Sequence, residues 1–471
     1  MSLKLFNTLS KKKEEIYPQN GKYIKLYTCG PTVYDYAHIG NFRTYIFEDL
    51  LKRTLRFLGY EVLHVMNITD IDDKTIKGAI NNNIDLKRYV EPYIKAFFED
   101  IKKLNINFAD FYPKATDYIG EMIKIIAALL DKEIAYRGND GSIYFSIKNF
   151  SSYGKLSHLK LENIEEGYSR IDLDEYEKEN ISDFVLWKAY DKKRDGDIFW
   201  ESPFGKGRPG WHIECSAMAL KILKDPIDIH CGGVDNIFPH HENEIAQSES
   251  FTGREFVKWW VHCEHLIVEG RKMSKSLGNF YILRDLLSKG FKAEEIRFEL
   301  LSTHYRSNLN FTFEGLTAAR KNLFKIEEMV RRLKTIDIDK YYGYADRFIL
   351  NTLEGFEKAL CDDLNISKAL AVFFEFIKDI NILCDKKNIG KKDVINILDF
   401  LKKIDEVLAF LPLEEEEIDI PKEIKEALSK REKARERKDW KEADKIRDFI
   451  FSKGFVIEDT EKGAVIKKRK F

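Results

Sequence analysis

Cysteine is scarce in this chain of 471 residues, and the positions at which it occurs are widely scattered. Six cysteines at such spacing are too few for a disulfide framework, so we interpret them as thiols or metal ligands in a reducing compartment. They include no CxxC pair, which excludes the spacing of a zinc finger. The six are Cys29, Cys215, Cys231, Cys263, Cys361 and Cys384.

Long hydrophobic runs are also missing. No apolar stretch approaches the roughly 18 residues that a membrane-spanning helix requires, and the N-terminal segment contains no signal-peptide core. A composition that is 44% hydrophobic and 33% charged is typical of an ordinary globular protein. We therefore expect a cytoplasmic protein without a membrane partner.

The chain has no excess of charge of one sign, since 78 Lys and Arg stand against 79 Asp and Glu. Overall charge therefore gives no indication of a nucleic-acid partner. Residues 422–471 differ, because they contain 17 Lys and Arg against 11 Asp and Glu and end in the basic run Lys467–Lys470. This local excess fits contacts with phosphates, although charge alone favours a solvated surface helix with a basic terminus.

A βαβ unit is predicted near the start of the chain. Lys22–Cys29 alternates apolar residues with lysines, which favours a strand. From Asn41 to Leu58 apolar positions recur at helical spacing, and Gly59 ends the predicted helix. Glu61–Met66 is a second predicted strand. A strand, a helix and a strand in this order imply a parallel sheet with a right-handed crossover.

The remainder of the chain divides into further segments. An amphipathic helix (Met122–Leu130) and a hairpin near Ser142–Ile147 interrupt the α/β pattern, which returns with strands at Ile227–His230 and near Val261–Val268. Helical periodicity then dominates until a proline-bounded acidic linker, Pro412–Pro421, which precedes two charged helices and a terminal strand pair. The predicted boundaries are 1–116 and 201–260 for the two halves of an α/β domain, 117–200 for an insertion, 261–311 for a connecting segment, 312–411 for a helical bundle and 422–471 for a C-terminal domain.

A candidate phosphate site lies between the first predicted strand and helix, in the segment 37–41 (AHIGN). Ligands of α/β proteins bind at the carboxyl ends of the strands, and a helix N-terminus offers free N–H groups to a phosphate. Gly40 permits close approach of the backbone, and His38 can donate a hydrogen bond to a phosphate oxygen. Taken alone, a His-Ile-Gly tripeptide is more often a plain turn.

A second candidate segment, 272–279 (KMSKSLGN), lies about 230 residues further along the chain. Lys272 and Lys275 flank hydroxyl side chains in a predicted loop, which the pair Glu269-Gly270 precedes. Mobile lysines can stabilise charge on a transferring phosphoryl group. A solvated surface loop is the alternative when this segment is considered alone.

Two cysteines, a histidine and a glutamate at separate places form a candidate metal site. Cys29 ends the first predicted strand, Cys215 follows the stretch RPGWHIE, and His240 and Glu244 lie four residues apart, where one helix face presents both. Two thiolates, an imidazole and a carboxylate are a suitable ligand set for zinc. The spacing alone does not decide for a metal, because Cys29 and Cys215 are far apart in sequence.

The segment 205–210 (GKGRPG) matches the glycine pattern of dinucleotide-binding folds. No clear strand precedes it and it contains Pro209, so the strand–turn–helix context of that motif is missing. We interpret this segment as a turn that positions Trp211 and Cys215.

The segments 37–41 and 272–276, in this order, form the double signature of class I aminoacyl-tRNA synthetases, and the sequence resembles that class. It is similar in particular to the cysteinyl-tRNA synthetases, which carry a cysteine near the first signature, another in a GWHIEC stretch, and the His and Glu of an FPHHENE stretch. The resemblance covers nearly the whole chain. Further matching stretches are 67–74 (NITDIDDK), 183–188 (DFVLWK), 230–235 (HCGGVD), 362–365 (DDLN) and, near the C-terminus, positions between 434 and 448.

The resemblance implies a Rossmann-like parallel-sheet catalytic domain with an insertion, followed by a helical bundle and a small anticodon-binding domain at 422–471. It implies that the enzyme joins L-cysteine to tRNA-Cys with ATP, as a monomer. Asn41 stands where the family normally has a second histidine; its amide keeps a donor but cannot carry a positive charge.

The resemblance also implies roles for individual residues. One zinc ion, which binds the substrate thiolate, would be held by Cys29, Cys215, His240 and Glu244. ATP, accompanied by magnesium, would be bound by His38, Gly40, Asn41, Lys272 and Lys275, of which all but the glycine are expected to be catalytic. The cysteine pocket would be lined by Thr69, Trp211, His230 and Asp235.

Two alternative functions stay open at this point. A related ligase could join cysteine to an amino sugar through the same adenylate, but such relatives lack a tRNA-binding C-terminal domain, so the segment 422–471 argues against it. A zinc-bearing RNA-binding protein without catalytic activity is the other alternative, and the intact lysine segment and His38 argue against that. ATP–pyrophosphate exchange would separate the enzyme from its non-catalytic relative.

Overall fold

The computed structural model describes residues 2–19, 21–159, 183–414, 421–460 and 463–468. The chain divides into two compact units, Met1–Leu411 and Pro412–Phe471. Parts of the predicted insertion (160–182) and of the predicted linker (415–420) lie outside the described residues, as do Arg469 and Lys470 of the basic run.

The regular elements alternate between strands and helices in the first half of the chain and are mainly helical in the second. Within the described ranges, none of the helices has the length and apolar character needed to cross a membrane. The strands are β1 (Lys4–Asn7), β2 (Lys12–Glu15), β3 (Ile24–Thr28), β4 (Val62–Met66), β5 (Ala135–Arg137), β6 (Ile143–Phe145), β7 (Phe184–Ala189), β8 (Gly207–Pro209), β9 (Ile227–Gly233), β10 (Val257–Cys263), β11 (Leu266–Val268), β12 (Arg271–Lys272), β13 (Leu309–Phe311), β14 (Phe455–Thr460) and β15 (Gly463–Lys468). The α-helices are α1 (Ile39–Phe57), α2 (Asp73–Asn81), α3 (Leu86–Lys103), α4 (Ile119–Asp131), α5 (Lys192–Asp195), α6 (Trp211–Leu223), α7 (Glu242–Thr252), α8 (Leu283–Ser288), α9 (Ala293–Leu301), α10 (Phe313–Lys334), α11 (Tyr344–Cys361), α12 (Ile366–Asp385), α13 (Lys391–Leu408), α14 (Lys422–Glu436) and α15 (Trp440–Ser452).

A four-stranded parallel sheet in the order β10-β9-β3-β4 forms the centre of the larger unit. All five residues of β3 are buried, as expected for an inner strand of a parallel sheet. Lys25 is tolerated there because its ammonium donates to the backbone carbonyls of Lys224 and Pro226 at 3.1 and 3.2 Å. The predicted βαβ unit is confirmed as β3-α1-β4, in which the two strands pair in parallel.

Helix α1 begins two residues before its predicted start, because the candidate phosphate segment caps it. The backbone N–H of Asn41 donates to Nδ1 of His38 at 3.2 Å, and the backbone N–H of His38 donates to Oδ1 of Asn41 at 3.0 Å. This reciprocal pair satisfies N–H groups that a helix N-terminus otherwise leaves without partners. The helix ends close to the predicted position, where Gly59 takes the left-handed conformation with φ +88°.

The segment predicted as an insertion, 117–200, contributes three strands to a second sheet, which is antiparallel and has the order β5-β6-β7-β8. Its edge strand β8 lies beyond position 200, in the segment predicted as the second half of the α/β domain. The hairpin predicted near Ser142–Ile147 is confirmed as the β5-β6 pair. The turn predicted at 205–210 is only partly correct, because Gly207–Pro209 forms the edge strand β8 and α6 begins directly after Gly210. Glycine makes this pairing possible, since a Cβ at position 207 would lie 2.2 Å from the carbonyl oxygen of Lys188.

Buried charges join this second sheet to helix α2. The guanidinium of Arg208 on β8 contacts the carboxylate of Asp73 and lies 3.0 Å from that of Asp195. The ammonium of Lys188 on β7 lies 2.6 Å from the Asp73 carboxylate. Paired charges of this kind are costly to break one at a time, so the network fixes β8, and with it the start of α6, against the main sheet.

Helices α10 to α13 form the bundle that helical periodicity predicts. Their apolar faces are buried, as for Ile326, Phe356 and Phe373. Helix α9, which precedes the bundle, is fastened to α1 by a buried ion pair in which the guanidinium of Arg297 lies 2.5 Å from the carboxylate of Asp49.

The second unit has two helices, α14 and α15, followed by the antiparallel pair β14-β15, as predicted. A small apolar core holds it together, and the helix pair packs on the strand pair through that core. Its buried members are Ile424, Ala427, Ile450, Phe455 and Ile466.

Candidate active site

The predicted zinc ligands converge at the carboxyl end of strand β3, although they are far apart in sequence. Cys29 follows β3 directly, Cys215 lies in the first half of α6, and Glu244 lies in the first turn of α7. His240 lies in the turn that leads into α7, so it does not share a regular helix with Glu244 as predicted. The two side chains nevertheless meet, with Nε2 of His240 at 3.1 Å from Oε1 of Glu244.

Four side chains in this region form a group with the geometry of a metal site. Cys29, His240, His241 and Glu244 each place one ligand atom within 4.8 Å of those of the others. Sγ of Cys29 lies 3.2 Å from Nε2 of His241. His241 is absent from the predicted ligand set, and the only signal for it in the sequence is its position next to His240.

Cys215 lies at the same cluster, in hydrogen-bond contact with Cys29 and His240. The hydrogen bond with Cys29 is the main cause that lowers the pKa of Cys215 to about 6, and it also raises the pKa of Cys29 well above its usual value. One of the two thiols is therefore a thiolate at neutral pH. Thiolates are the form in which cysteine binds metals.

The histidine and the carboxylate of the cluster carry opposite charges. Burial disfavours both charged forms and is the largest single influence on His240, but Glu244 and Cys215 together outweigh it and raise the pKa of His240 to about 10. Burial is likewise outweighed at Glu244, where His230 and His240 lower the pKa to about 2. A buried carboxylate beside a thiolate requires positive charge in its immediate surroundings, and that requirement suits a cation site.

Further imidazoles and an indole orient the ligand side chains. Nε2 of His230 lies 3.2 Å from Oε2 of Glu244, and Nδ1 of His212 lies 2.9 Å from Nδ1 of His240. The ring of Trp211 stacks on that of His240, with 4.3 Å between centroids. Such outer contacts fix the orientation of metal ligands.

His241 is held from behind by two further side chains. Its Nδ1 lies 2.8 Å from Nε2 of His262, whose Nδ1 lies 2.7 Å from the hydroxyl of Thr8. Burial lowers the pKa of His241 well below its usual value and that of His262 to about 3. Both imidazoles are therefore neutral, and Nε2 of His241 is the ring nitrogen that faces Cys29.

The two signature segments, about 230 residues apart in sequence, are in contact in the structure. The ring of Phe280 bridges them, with its centroid 5.2 Å from that of His38 and 5.1 Å from Nζ of Lys275. Nζ of Lys275 also donates to Oδ2 of Asp35 at 2.6 Å, three residues before His38. Lys272 forms part of the exposed strand β12. Of the residues predicted to bind ATP, His38 and Lys275 are thus close to each other.

His38 has a defined proton position. Burial lowers the pKa of its imidazole to about 4, so the ring is neutral at pH 7. Because Nδ1 accepts the hydrogen bond from the backbone N–H of Asn41, the ring proton resides on Nε2. His38 can therefore donate to a phosphate oxygen through Nε2, while the side-chain oxygen of Asn41 is occupied by the helix cap. The spacing of three residues between two polar side chains at a helix start is the sequence signal for this cap.

Two of the four residues predicted for the cysteine pocket contact the thiol cluster and its neighbours. Trp211 and His230 contact the ligand cluster, as described above. Thr69 is buried and accepts a hydrogen bond from the amide of Asn67 at 3.0 Å. Asp235 follows β9 and lies close enough to His38 to affect the pKa of its imidazole.

Comparison with known proteins identifies the family. Residues 15–321 match the catalytic domain of class I (C) tRNA synthetases, residues 355–412 the DALR domain, and residues 418–465 the anticodon binding domain of cysteinyl-tRNA ligase. The cysteine–tRNA ligase of Protochlamydia amoebophila is 54% identical over 468 residues, which cover 99% of this chain and 98% of that protein. The chain belongs to the cysteinyl-tRNA synthetase family.

A second relative in the cysteinyl-tRNA synthetase family is similar to the chain over nearly its whole length. The cysteine–tRNA ligase of Chlamydia abortus is 56% identical over 469 residues, with 99% of this chain and 98% of that protein covered. Membership makes the chain a class I aminoacyl-tRNA synthetase, which is a ligase, and confirms the predicted resemblance.

Solved structures of other class I synthetases share the fold. The methionyl-tRNA synthetase of Mycobacterium tuberculosis in complex with methionyl-adenylate has a TM-score of 0.62 at 16% identity, with 82% of this chain and 92% of that chain covered. The Agrobacterium radiobacter K84 LeuRS, solved in a ternary complex with tRNA and LeuAMS, has a TM-score of 0.60 at 13% identity. The match covers 83% of this chain and 84% of that chain. These likenesses confirm the predicted α/β fold class with a parallel sheet and helical C-terminal parts.

Proposed function

We propose that this chain activates L-cysteine with ATP to cysteinyl-adenylate and transfers the cysteinyl group to the 3′ end of tRNA-Cys. The observation that carries the proposal is the thiol cluster of Cys29 and Cys215 at the carboxyl end of β3, the strand that the segment with His38 follows in the chain. The match of residues 418–465 to a cysteinyl-tRNA ligase anticodon binding domain supports tRNA as the acceptor.

Cys29, Cys215, His240 and Glu244 would hold one zinc ion. The donor set fits, because zinc is borderline-soft and binds thiolate, neutral imidazole and carboxylate, and because the low pKa of Cys215 favours its thiolate. The proton that Glu244 and Cys215 hold on His240 would be displaced by zinc. Bound zinc would take the side chain of the substrate as a thiolate, since a metal lowers the pKa of a thiol below its free value of about 8.5. His241, 3.2 Å from Cys29, is a further imidazole within reach.

Selection of cysteine against serine would follow from this bond. A hydroxyl is a harder ligand and far less acidic than a thiol, so the side chain of serine cannot form the bond to zinc that the thiolate of cysteine forms. Sites that discriminate through one specific bond reach ratios of about 10⁴–10⁵, which dispenses with a separate editing step. In this proposal Thr69, Trp211, His230 and Asp235 line the pocket around the substrate.

In the first step the carboxylate oxygen of cysteine attacks the α-phosphorus of ATP, which enters with magnesium. The bond from that phosphorus to the bridging oxygen breaks, and pyrophosphate leaves with the electron pair. His38 would donate from Nε2 to a phosphate oxygen, and Lys272 and Lys275 would stabilise the charge of the leaving pyrophosphate. Gly40 and Asn41 would shape the helix N-terminus beneath the phosphates. Positioning and charge stabilisation therefore supply most of the catalysis.

In the second step a hydroxyl of the terminal ribose of tRNA-Cys attacks the carbonyl carbon of the adenylate, and AMP leaves. We propose that the enzyme acts as a monomer in the cytoplasm, where thiols stay reduced. The proposed domains are 1–116 and 201–260 for catalysis, 117–200 for the insertion, 261–311 for the connecting segment, 312–411 for the bundle and 422–471 for anticodon binding.

Removal of the C-terminal unit tests the acceptor. A chain that ends at Leu411 is expected to keep ATP–pyrophosphate exchange, because every residue proposed for activation lies in the first unit. Its KM for tRNA-Cys is expected to rise at least about 10-fold, and further at higher salt, because phosphate contacts of the basic unit are lost and those that remain weaken as salt increases. Aminoacylation kinetics at two salt concentrations, with the full chain in parallel, measure both effects.

A truncated chain that charges tRNA-Cys as well as the full chain would remove the C-terminal unit from tRNA recognition. It would also reopen the amino-sugar ligase, which needs no such unit. In that case, formation of a cysteinyl amide with glucosamine-type acceptors is the product to measure.

A further inference from the structure

Four tyrosines form a cluster beside the two signature segments, and no role proposed above uses them. The ring of Tyr93 lies edge-to-face against Tyr36 and Tyr89, with 5.3 and 5.5 Å between centroids. The hydroxyl of Tyr89 donates to the backbone carbonyl of Tyr34 at 2.9 Å. We call these four side chains, Tyr34, Tyr36, Tyr89 and Tyr93, the tyrosine cluster.

The cluster reaches the surface next to the first signature segment. Tyr34 and Tyr36 remain 37% and 38% exposed, and they precede His38 by four and two residues. Asp35, which lies between them in sequence, accepts the hydrogen bond from Lys275. Two aromatic rings therefore face solvent directly beside the groups proposed to act on the phosphates of ATP.

Packing and a hydrogen bond within the chain fix the arrangement of the rings. Gly78 on helix α2 leaves room for Tyr89, since a Cβ at that position would lie 2.1 Å from the ring. Packing against Tyr89 therefore excludes a side chain at position 78, although glycine inside a helix weakens that helix relative to alanine. The backbone of Tyr34 is in turn held by the hydroxyl of Tyr89.

Positive charge accompanies the exposed rings. Nζ of Lys74 lies 5.1 Å from the centroid of Tyr34, and the guanidinium carbon of Arg284 lies 5.0 Å from that of Tyr36. The orientation of Arg284 is set by the carboxylates of Glu99 and Asp100, at 3.0 and 2.7 Å. Exposed aromatic rings next to cations are the combination with which proteins bind single-stranded nucleic acid, through base stacking and phosphate contacts.

We infer that Tyr34 and Tyr36 form a stacking platform for the unpaired terminal nucleotides of the tRNA, an inference that rests on the proposed function. The terminal ribose must reach the adenylate beside His38 and Lys275, and the two exposed rings flank Asp35, which contacts Lys275. They are therefore placed to contact the nucleotides that precede the terminal one. The adenine of ATP is a poorer candidate, because small-molecule sites enclose about 70–90% of their ligand, whereas these rings are open to solvent.

Replacing both rings, Tyr34→Ala with Tyr36→Ala, is expected to raise the KM for tRNA-Cys by at least about 5- to 100-fold, the factor by which loss of stacking on a single aromatic side chain lowers affinity. Exchange of pyrophosphate into ATP without tRNA is expected to stay within about 2-fold, with unchanged KM for ATP and cysteine. The variants Tyr34→Phe and Tyr36→Phe keep the rings and should charge tRNA-Cys like the native chain.

Binding of trimmed tRNA locates the contact. The alanine variant should lose affinity for intact tRNA-Cys, yet match the native chain in binding tRNA-Cys from which the unpaired 3′ nucleotides have been removed. An equal loss with both RNAs, a native KM for tRNA in the alanine variant, or a KM for ATP raised by the same factor would each overturn the platform. Failure of the native chain to charge tRNA-Cys would instead refute the proposed function, so the two failures are distinguishable.

Discussion

A Cys215→Ser variant is expected to lose zinc and cysteine affinity together, because the proposed site uses one ion for both. Serine oxygen is a poor replacement for the thiolate that the hydrogen bond from Cys29 stabilises at this position. We expect well under one equivalent of zinc per chain and a kcat/KM for cysteine reduced by up to about 10⁴-fold in pyrophosphate exchange. Metal analysis of the purified protein and exchange kinetics measure the two effects on one sample.

Cys384→Ser is the matched control, since Cys384 is a buried thiol on helix α12 of the bundle. It should keep one equivalent of zinc and native exchange kinetics. A Cys215→Ser protein with full zinc content would show that Cys215 is not a ligand. Loss of zinc with native cysteine kinetics would refute the selection of the substrate by the metal.

A Lys275→Ala variant is expected to lower kcat for pyrophosphate exchange by about 10²–10³, the usual effect of removing one donor that acts on charge developing in a transition state. The KM for cysteine should change little, because Lys275 contacts Asp35 and Phe280 and not the thiol cluster. Steady-state exchange at varied cysteine and ATP measures both parameters. A kcat within a few-fold of the native value, with a raised KM for cysteine, would contradict this role.

Two further variants separate catalysis from surface charge. Lys402→Ala removes another exposed, ion-paired lysine, on helix α13, and should leave exchange unchanged. Asp35→Asn removes the partner of Lys275, whose exposed ion pair contributes only about 0–1 kcal/mol. We therefore expect no more than about a 5-fold change in exchange from Asp35→Asn, far less than from Lys275→Ala.

Local elements of the fold were predictable because each leaves a short-range pattern. The alternation in Lys22–Cys29, the helical spacing after Asn41 and the stop at Gly59 all correspond to β3, α1 and the end of α1. The start of α1 was predicted less well, since a reciprocal cap between His38 and Asn41 extends the helix into the segment 37–41, which was predicted to lie between the first strand and the helix. The edge strand β8 was missed because its glycine and proline residues are typical of a turn, whereas its pairing depends on β7, which lies earlier in the chain.

The assembly of the candidate site depends on contacts that spacing does not encode. Nothing in the interval between Cys29 and Cys215 indicates that their thiols meet, and the resemblance to a family was needed to propose it. His241 was not predicted as a ligand because the supporting contacts of its ring come from His262 and Thr8, which lie in other parts of the chain. The bridge of Phe280 between His38 and Lys275 likewise appears only once the chain is folded.

Selection of cysteine through a zinc–thiolate bond is tested most directly by pyrophosphate exchange with cysteine and with serine on the same zinc-loaded preparation of the native chain. We predict a kcat/KM for cysteine that exceeds that for serine by about 10⁴ or more, the range open to a site that relies on one specific bond. A ratio of about 10–200, which a pocket selecting by size and shape alone provides, would contradict the proposal.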